Sequence, residues 1–246
     1  MKMRNKYNRA IGLLKWSLIR HKFYIPVFVI VQIILSLAVI YGFSFITNAN
    51  DYDANSFLCT GAITINLLAV TCVLAPQIVS EAKQNGIFKY QKTLPISRIS
   101  ILLSDLLIWG FISLPGVFVC ILIGSLHFDM QIHFYLMSIC SLLFVIISLL
   151  LLGFAIAYIL APNIVSLVTQ FIMIGGLLFS PIIYSADRLP SWMAYIYNTL
   201  PFVPVSNIIR ASLFHLTAYK ITDYIVVMAW GVASFLAIMY VLKKRE

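Results

Sequence analysis

Acidic side chains are scarce in this chain. Eight Asp and Glu residues stand against 17 Lys and Arg, and only two of the acids, Glu81 and Glu246, are glutamates. With so few carboxylates a His-Glu-x-x-His zinc helix cannot be assembled. No glycine is followed by lysine, which excludes the phosphate loop whose lysine must reach the nucleotide phosphates. No Gly-x-Ser-x-Gly turn is present to raise a nucleophilic serine. The four cysteines, Cys59, Cys72, Cys120 and Cys140, fall inside apolar runs without metal-type spacing, so they read as small buried hydrophobes. Internal repeats, low-complexity tracts and a soluble domain are also missing. The sequence therefore predicts no catalytic, cofactor or metal site in the chain itself.

What is present in abundance is apolar surface. Hydrophobic residues make up 62% of the 246 residues, charged ones 10%, and the mean hydropathy is +0.99. A soluble domain runs near 45–50% apolar and about 25% charged, so the chain reads as an integral membrane protein. A bilayer core of about 30 Å takes about 20 apolar residues per helix, and six runs qualify, at 23–46, 57–79, 99–125, 134–160, 164–184 and 222–242. Each is continuously apolar, whereas barrel strands would alternate over about 10 residues. The expected fold is all-α, with six transmembrane helices in one domain over 1–246. The basic N-terminus and first run resemble a secretory signal, but the run is too long and lacks a small-residue cleavage site.

Charge sets the orientation. Fourteen of the 17 basic residues precede the first run, lie between the second and third, or follow the last. Positive charge beside membrane spans stays in the cytoplasm, so both termini are expected there. Arg188, Arg210 and Lys220 fall to the outer side with Asp51, Asp53, Asp129, Asp187 and Asp223. The net charge of +9 is distributed for contact with lipid headgroups and not for nucleic acid. Ahead of the first span, Tyr7, Ala10, Ile11, Leu14 and Leu18 form an apolar stripe at helical spacing, with Arg9, Lys15 and Arg20 off it. Residues 1–22 are thus predicted to form a cytoplasmic interfacial helix.

Several positions are candidates for function. Segment 80–98 is a basic inner connector carrying Glu81, Gly86, Leu94 and Pro95, suited to passing force from a soluble partner. Asp105 lies about a turn and a half into the third span, where an acid is costly and functional by default; water, Arg98 and Ser104 are its expected neighbours, in a structural or a coupling role. His127, His133 and His215 fall near outer ends and read as exposed. Between spans five and six, Pro181, Pro190, Pro201 and Pro204 break any continuous helix, yet the segment is aromatic and apolar. It reads as two short helices dipping into the outer leaflet, a re-entrant segment over 185–207, with Trp192, Tyr195 and Tyr197 at headgroup level. Gly110, Gly116, Gly175 and Gly176 allow close helix approach. Gln32, Asn66, Thr71, Gln77 and Gln170 either bridge helices or line a conduit, for which Gln32, Asn66 and Gln170 are the candidates.

Taken together, the connector and the outer segment resemble the type 2 ATP-binding-cassette permease family, the transmembrane subunits of many bacterial exporters, over essentially the whole chain. The inner elements are Glu81, Gly86, Leu94, Pro95, Ser97 and Arg98, without the arginine that usually follows the acid. The outer ones are Pro181, Leu189, Pro190, Trp192, Asn198, Pro201 and Arg210. The resemblance implies a dimer of two permeases, identical or homologous, each bound to a separate nucleotide-binding ATPase subunit that holds ATP and magnesium. It further implies that Glu81, Gly86, Leu94, Pro95 and Arg98 couple to the ATPase, and that Pro181, Leu189, Pro190, Trp192, Asn198 and Pro201 gate the outer exit. The expected function is export of a hydrophobic or amphiphilic substrate, a peptide, drug, lipid or glycan. An immunity permease against an antimicrobial peptide is the alternative, and an ion-coupled secondary carrier, for which only Asp105 qualifies, stands behind it.

Overall fold

A computed structural model describes residues 12, 15–45, 52–87, 97–128, 135–176, 181–183, 190–214 and 216–244, and among these it is all-helical, with no strand. A short helix α1 covers 15–21 and turns into α2 (Tyr24–Ser44). Next come α3 (Tyr52–Leu68), a π-helical stretch Ala69–Leu74 and α4 (Ala75–Gln84). Long helices α5 (Arg98–Phe128) and α6 (Leu136–Ile159) follow, then the shorter α7 (Pro162–Ile174), α8 (Ser191–Thr199) and α9 (Phe202–Leu213), and finally α10 (Ile221–Lys244).

Among the described residues, five helical stretches are long and apolar enough to cross a membrane: Tyr24–Ser44, Ala54–Gln84, Arg98–Phe128, Leu136–Ile159 and Ile221–Lys243. They coincide with five of the six expected runs. The run expected at 164–184 is represented by α7, whose 13 residues extend about 20 Å at 1.5 Å per residue; part of the rest lies outside the described residues. The stretch through α3 and α4 is the axis of the bundle, 83% buried, against 28% for α2 and 22% for α10 at the rim. On the rim helices, residues such as Ile30, Ile34, Phe111, Phe118, Val232 and Leu236 are exposed on outward faces, as expected where the surroundings are hydrocarbon. Cys59, Cys72 and Cys120 are buried, but Cys140 is exposed on such a face of α6, contrary to its expected burial.

Two prolines shape the bundle. Pro76 opens α4 and has no N–H to give the preceding turn. The helix widens ahead of it, and the Ala75 N–H reaches five residues back to Val70 O. The Thr71 carbonyl there presses so closely on Gly153 of α6 that a Cβ at 153 would collide with it. Close by, Cys72 Sγ lies 3.6 Å from Leu149 O.

The second proline, Pro115, sits inside α5. One turn of this helix is closed by a side chain from α2: Gln32 Nε2 donates to Ile112 O at 2.8 Å, and Gly116 N donates to Gln32 Oε1 at 2.7 Å. The amide is thus inserted between a donor and an acceptor four residues apart, the pair that would bond directly in an unbroken helix. Gly116 leaves the room, since a Cβ there would fall 2.5 Å from Gln32 Oε1 and 2.7 Å from Asn66 Oδ1. Ser36 Oγ donates to Gln32 O at 2.7 Å, and Asn66 Nδ2 donates to Ser36 Oγ at 2.9 Å and to Cys120 Sγ at 3.3 Å. This buried polar cluster stitches α2, α3 and α5. Gln32→Leu removes both ends of the clip while roughly keeping its volume. The expected outcome is a loss of about 1–3 kcal/mol, read as a lower unfolding midpoint in detergent; an unchanged midpoint would show that α5 closes its own turn.

Candidate functional site

The inner connector begins as helix, not as loop. Ser80, Glu81, Ala82, Lys83 and Gln84 continue α4, because Glu, Ala, Lys and Gln are strong helix formers. The helix stops at Gly86, whose φ of +74° is the left-handed conformation that glycine adopts without a Cβ penalty; Asn85 N donates to Glu81 O at 2.9 Å just before it. Glu81 is exposed on this last turn. Lys83 leans away and donates to the terminal carbonyl of α6 at Leu160, at 2.9 Å, and to those of Ala157 and Tyr158. Leu94 and Pro95 lie outside the described residues. Past them, Ser97 Oγ accepts from Ser100 N at 3.2 Å and caps α5. Arg98, the first residue of α5, donates to Leu242 O near the end of α10. Two connector cations therefore satisfy exposed helix carbonyls.

Asp105 is buried, and its partners are not Arg98 or Ser104. Ser17 Oγ donates to Asp105 Oδ1 at 2.9 Å, and Arg20 Nη2 approaches the same oxygen at 3.2 Å. The acid thus anchors α1 to α5. His21, also buried, completes the contact: Nδ1 lies 2.7 Å from Ser17 O, and the ring meets Trp109 edge-on at 5.5 Å. A carbonyl can only accept, so Nδ1 carries the proton, leaving Nε2 as acceptor at 3.5 Å from Arg20 Nη2. Burial, with the Arg20 guanidinium beside it, pushes the His21 pKa down to about 4. Of the expected apolar stripe, Leu18 is exposed on the outward side of α1, Tyr7, Ala10, Ile11 and Leu14 lie outside the described residues, and the polar residues Ser17, Arg20 and His21 face the bundle. The physical reason is Asp105, a buried carboxylate that requires donors from the helix laid across it.

At the opposite end, Pro181, Ile182 and Ile183 are buried against α3. A Cβ on Gly61 would lie 2.8 Å from Ile182 O, so only glycine lets the two backbones approach. Arg210 of α9, which the charge pattern assigns to the outer side of the membrane, is 2% exposed. It donates to Ile182 O, to Thr60 Oγ1 at 3.1 Å and to Asn207 Oδ1 at 3.2 Å, and it covers the Phe57 ring at 4.1 Å. The buried guanidinium thus knits 181–183, α3 and α9 together. Beyond it, α8 and α9 are two short helices, each preceded by a proline, Pro190 and Pro201. Trp192, Tyr195 and Asn198 are exposed on α8, and Trp230 Nε1 donates to Thr199 O at 3.0 Å. Leu189 lies outside the described residues.

The three conduit candidates do not come together. Gln32 and Asn66 are buried in the clip inside the bundle, where they bridge helices, whereas Gln170 is exposed on α7. Gln77 also bridges, donating to Thr169 Oγ1 at 2.9 Å. His127 is exposed beside Tyr41, and His133 and His215 lie outside the described residues. Gly110, Gly175 and Gly176 make no approach that a Cβ would obstruct; Gly61, Gly116 and Gly153 do. Among the described residues no cluster of His, Cys, Asp or Glu is placed to hold a metal. What sequence reading missed was the donor set Ser17, Arg20 and His21. Its signal was the spacing of 17, 20 and 21 along one helix face, in a chain whose third span carries a single acid.

Compared with known proteins, residues 14–214 match the family described as ABC-2 type transporter. The match begins just ahead of the Asp105 anchor's donors and ends at the helix carrying Arg210. No curated protein matches the chain.

Two outcomes follow for the anchor. Arg20→Met strands a buried carboxylate and is expected to cost about 3 kcal/mol, while the double variant with Asp105→Asn recovers most of the loss; a double variant as unstable as the single one would refute the pairing. For His21 the sign is set by its lowered pKa. The unfolded chain takes up a proton below about pH 6.5 that the folded chain refuses until about pH 4. Stability contributed by neutral burial is thus present above about pH 6.5 and is lost as pH falls toward 4, by up to about 3 kcal/mol. In His21→Gln, unfolding midpoints between pH 7 and 4 should show a correspondingly weaker pH dependence than in the wild type.

Proposed function

Because the chain belongs to the ABC-2 type transporter family, whose members are membrane permeases of ATP-driven transporters, we propose that it works as an exporter subunit. In this reading a separate nucleotide-binding subunit holds ATP and magnesium and hydrolyses the nucleotide. Two permeases, identical or homologous, pair in the cell membrane of a bacterium with both termini in the cytoplasm. The topology has six spans in a single domain over 1–246, with α7 and the residues after it forming the fifth span. The substrate is hydrophobic or amphiphilic, in keeping with apolar helices bearing few exposed polar groups.

The observation that carries the reading is the end of α4. It is the continuation of the most buried helix of the bundle, it ends in an exposed Glu81, and it stops at the left-handed Gly86. Force applied there reaches the bundle axis through a rigid helix. We assign the ATPase contact to Glu81 and Gly86, with Leu94, Pro95 and Arg98 completing the connector. The outer gate is assigned to the segment holding Pro181, Leu189, Pro190, Trp192, Asn198 and Pro201, a re-entrant stretch whose inner edge is held by Arg210. An ion-coupled carrier is disfavoured, because the acid such a mechanism would use is held by Ser17 and Arg20.

Purification of the tagged chain in mild detergent is expected to bring down an ATPase subunit. In that complex Glu81→Ala should abolish stimulation of ATP hydrolysis by transport substrate while leaving the unfolding midpoint within about 0.5 kcal/mol of the wild type, as for an ordinary surface change. Retention of full coupling in Glu81→Ala, with the ATPase bound normally, would remove this residue from the contact.

A further inference from the structure

The outward side of α1 is built differently from the side that grips Asp105. At 100° per residue, Lys15, Leu18, Ile19 and Lys22 fall within about a third of the helix circumference, and all four are exposed. From this face two adjoining grooves, which share Leu18 and Ile25, run first between α1 and α2 and then between α2 and α5. One is lined by Leu18, Ile19, Lys22, Ile25 and Pro26. The other continues from Leu18 and Ile25 past Val29, Leu107 and Phe111 to Pro115. Each is an open furrow of about 360 Å³, and among the described residues that line them Lys22 is the only charged one.

We propose that this seam binds one anionic glycerophospholipid, with an acyl chain lying along the groove toward Pro115 and the phosphate held by Lys22, while Lys15, two turns back on the same exposed face, adds to the positive field. A furrow in a membrane-facing wall is closed by hydrocarbon, because an empty one forfeits dispersion contacts on one side. The lining suits a lipid chain, being apolar along its length with its one described charge at the α1 end. Charge complementarity selects the headgroup. The third cation of α1, Arg20, is turned inward onto Asp105, so the two lysines are the ones presented to phosphate. Lys22 ends α1 where the chain turns into α2, at the level where a headgroup joins its acyl chains. Such a lipid would brace α1 from outside while Asp105 holds it from within. The inference does not depend on the substrate or on the direction of transport.

The test is native mass spectrometry of the full chain, released from mild detergent after equal additions of phosphatidylglycerol and phosphatidylcholine. The wild type is expected to retain one phosphatidylglycerol per chain in preference to phosphatidylcholine. Lys22→Glu should reduce phosphatidylglycerol retention at least about fivefold and leave phosphatidylcholine unchanged. Val29→Trp, which fills the groove, should remove both lipids. Equal retention of the two lipids by the wild type, or an unaltered preference in Lys22→Glu, overturns the proposal. A second copy of the chain taking the place of retained lipid also overturns it. Lys22 is exposed, so its variant tests the idea even where Val29→Trp fails to fold.

Discussion

Hydrocarbon offers no hydrogen bonds, so each backbone carbonyl or amide released inside this bundle has to be matched by another part of the chain. The rest of the structure follows from how that constraint is met. Pro76 removes a donor from the central helix, and the turn ahead of it widens into a π-helical stretch. Pro115 interrupts α5, where Gln32 inserts its amide between Ile112 and Gly116. Lys83 and Arg98 supply donors to carbonyls near the ends of α6 and α10. The same accounting explains why three glycines are tightly placed, since Gly61, Gly116 and Gly153 each admit a polar group from a neighbouring segment where a side chain would collide.

Charge obeys a related rule. Buried ionised groups need partners, and the two ends of the bundle meet that need in different ways. Near α1 an acid and a base pair directly, with a serine hydroxyl added on the same oxygen. Around Arg210 the donors are met by a main-chain carbonyl, a threonine and an asparagine, with an aromatic face beneath. The first arrangement fixes a peripheral helix to the bundle, and the second fixes residues 181–183 to α3 and α9.

Much of this was legible in the sequence. Long apolar runs are read by length alone, and so five of the expected spans lie where hydropathy put them. The prolines at 190 and 201 foretold two short helices. Other features depend on which neighbour a side chain meets, which composition does not encode. Arg20 looked like one more orienting cation because seven basic residues precede the first span; its direction is fixed by an acid 85 positions later. Sequence assigns Arg210 only a side of the membrane, and its burial comes from packing against α3. Glu81 was assigned to a loop because charge density suggested one, but helix propensity carried α4 past it. Leu94, Pro95 and Leu189 belong to stretches outside the described residues, and their roles rest on the family resemblance.

The cations flanking the inner connector also determine where a mechanical load goes. A pull on residues 88–96 would ordinarily be felt by the helices on either side, α4 and α5. Lys83, however, is tied to the end of α6, and Arg98 to the end of α10, two helices that pack along each other. A load arriving through α4 or α5 would therefore be divided with the α6–α10 pair, the two helices that flank α9 and its buried arginine.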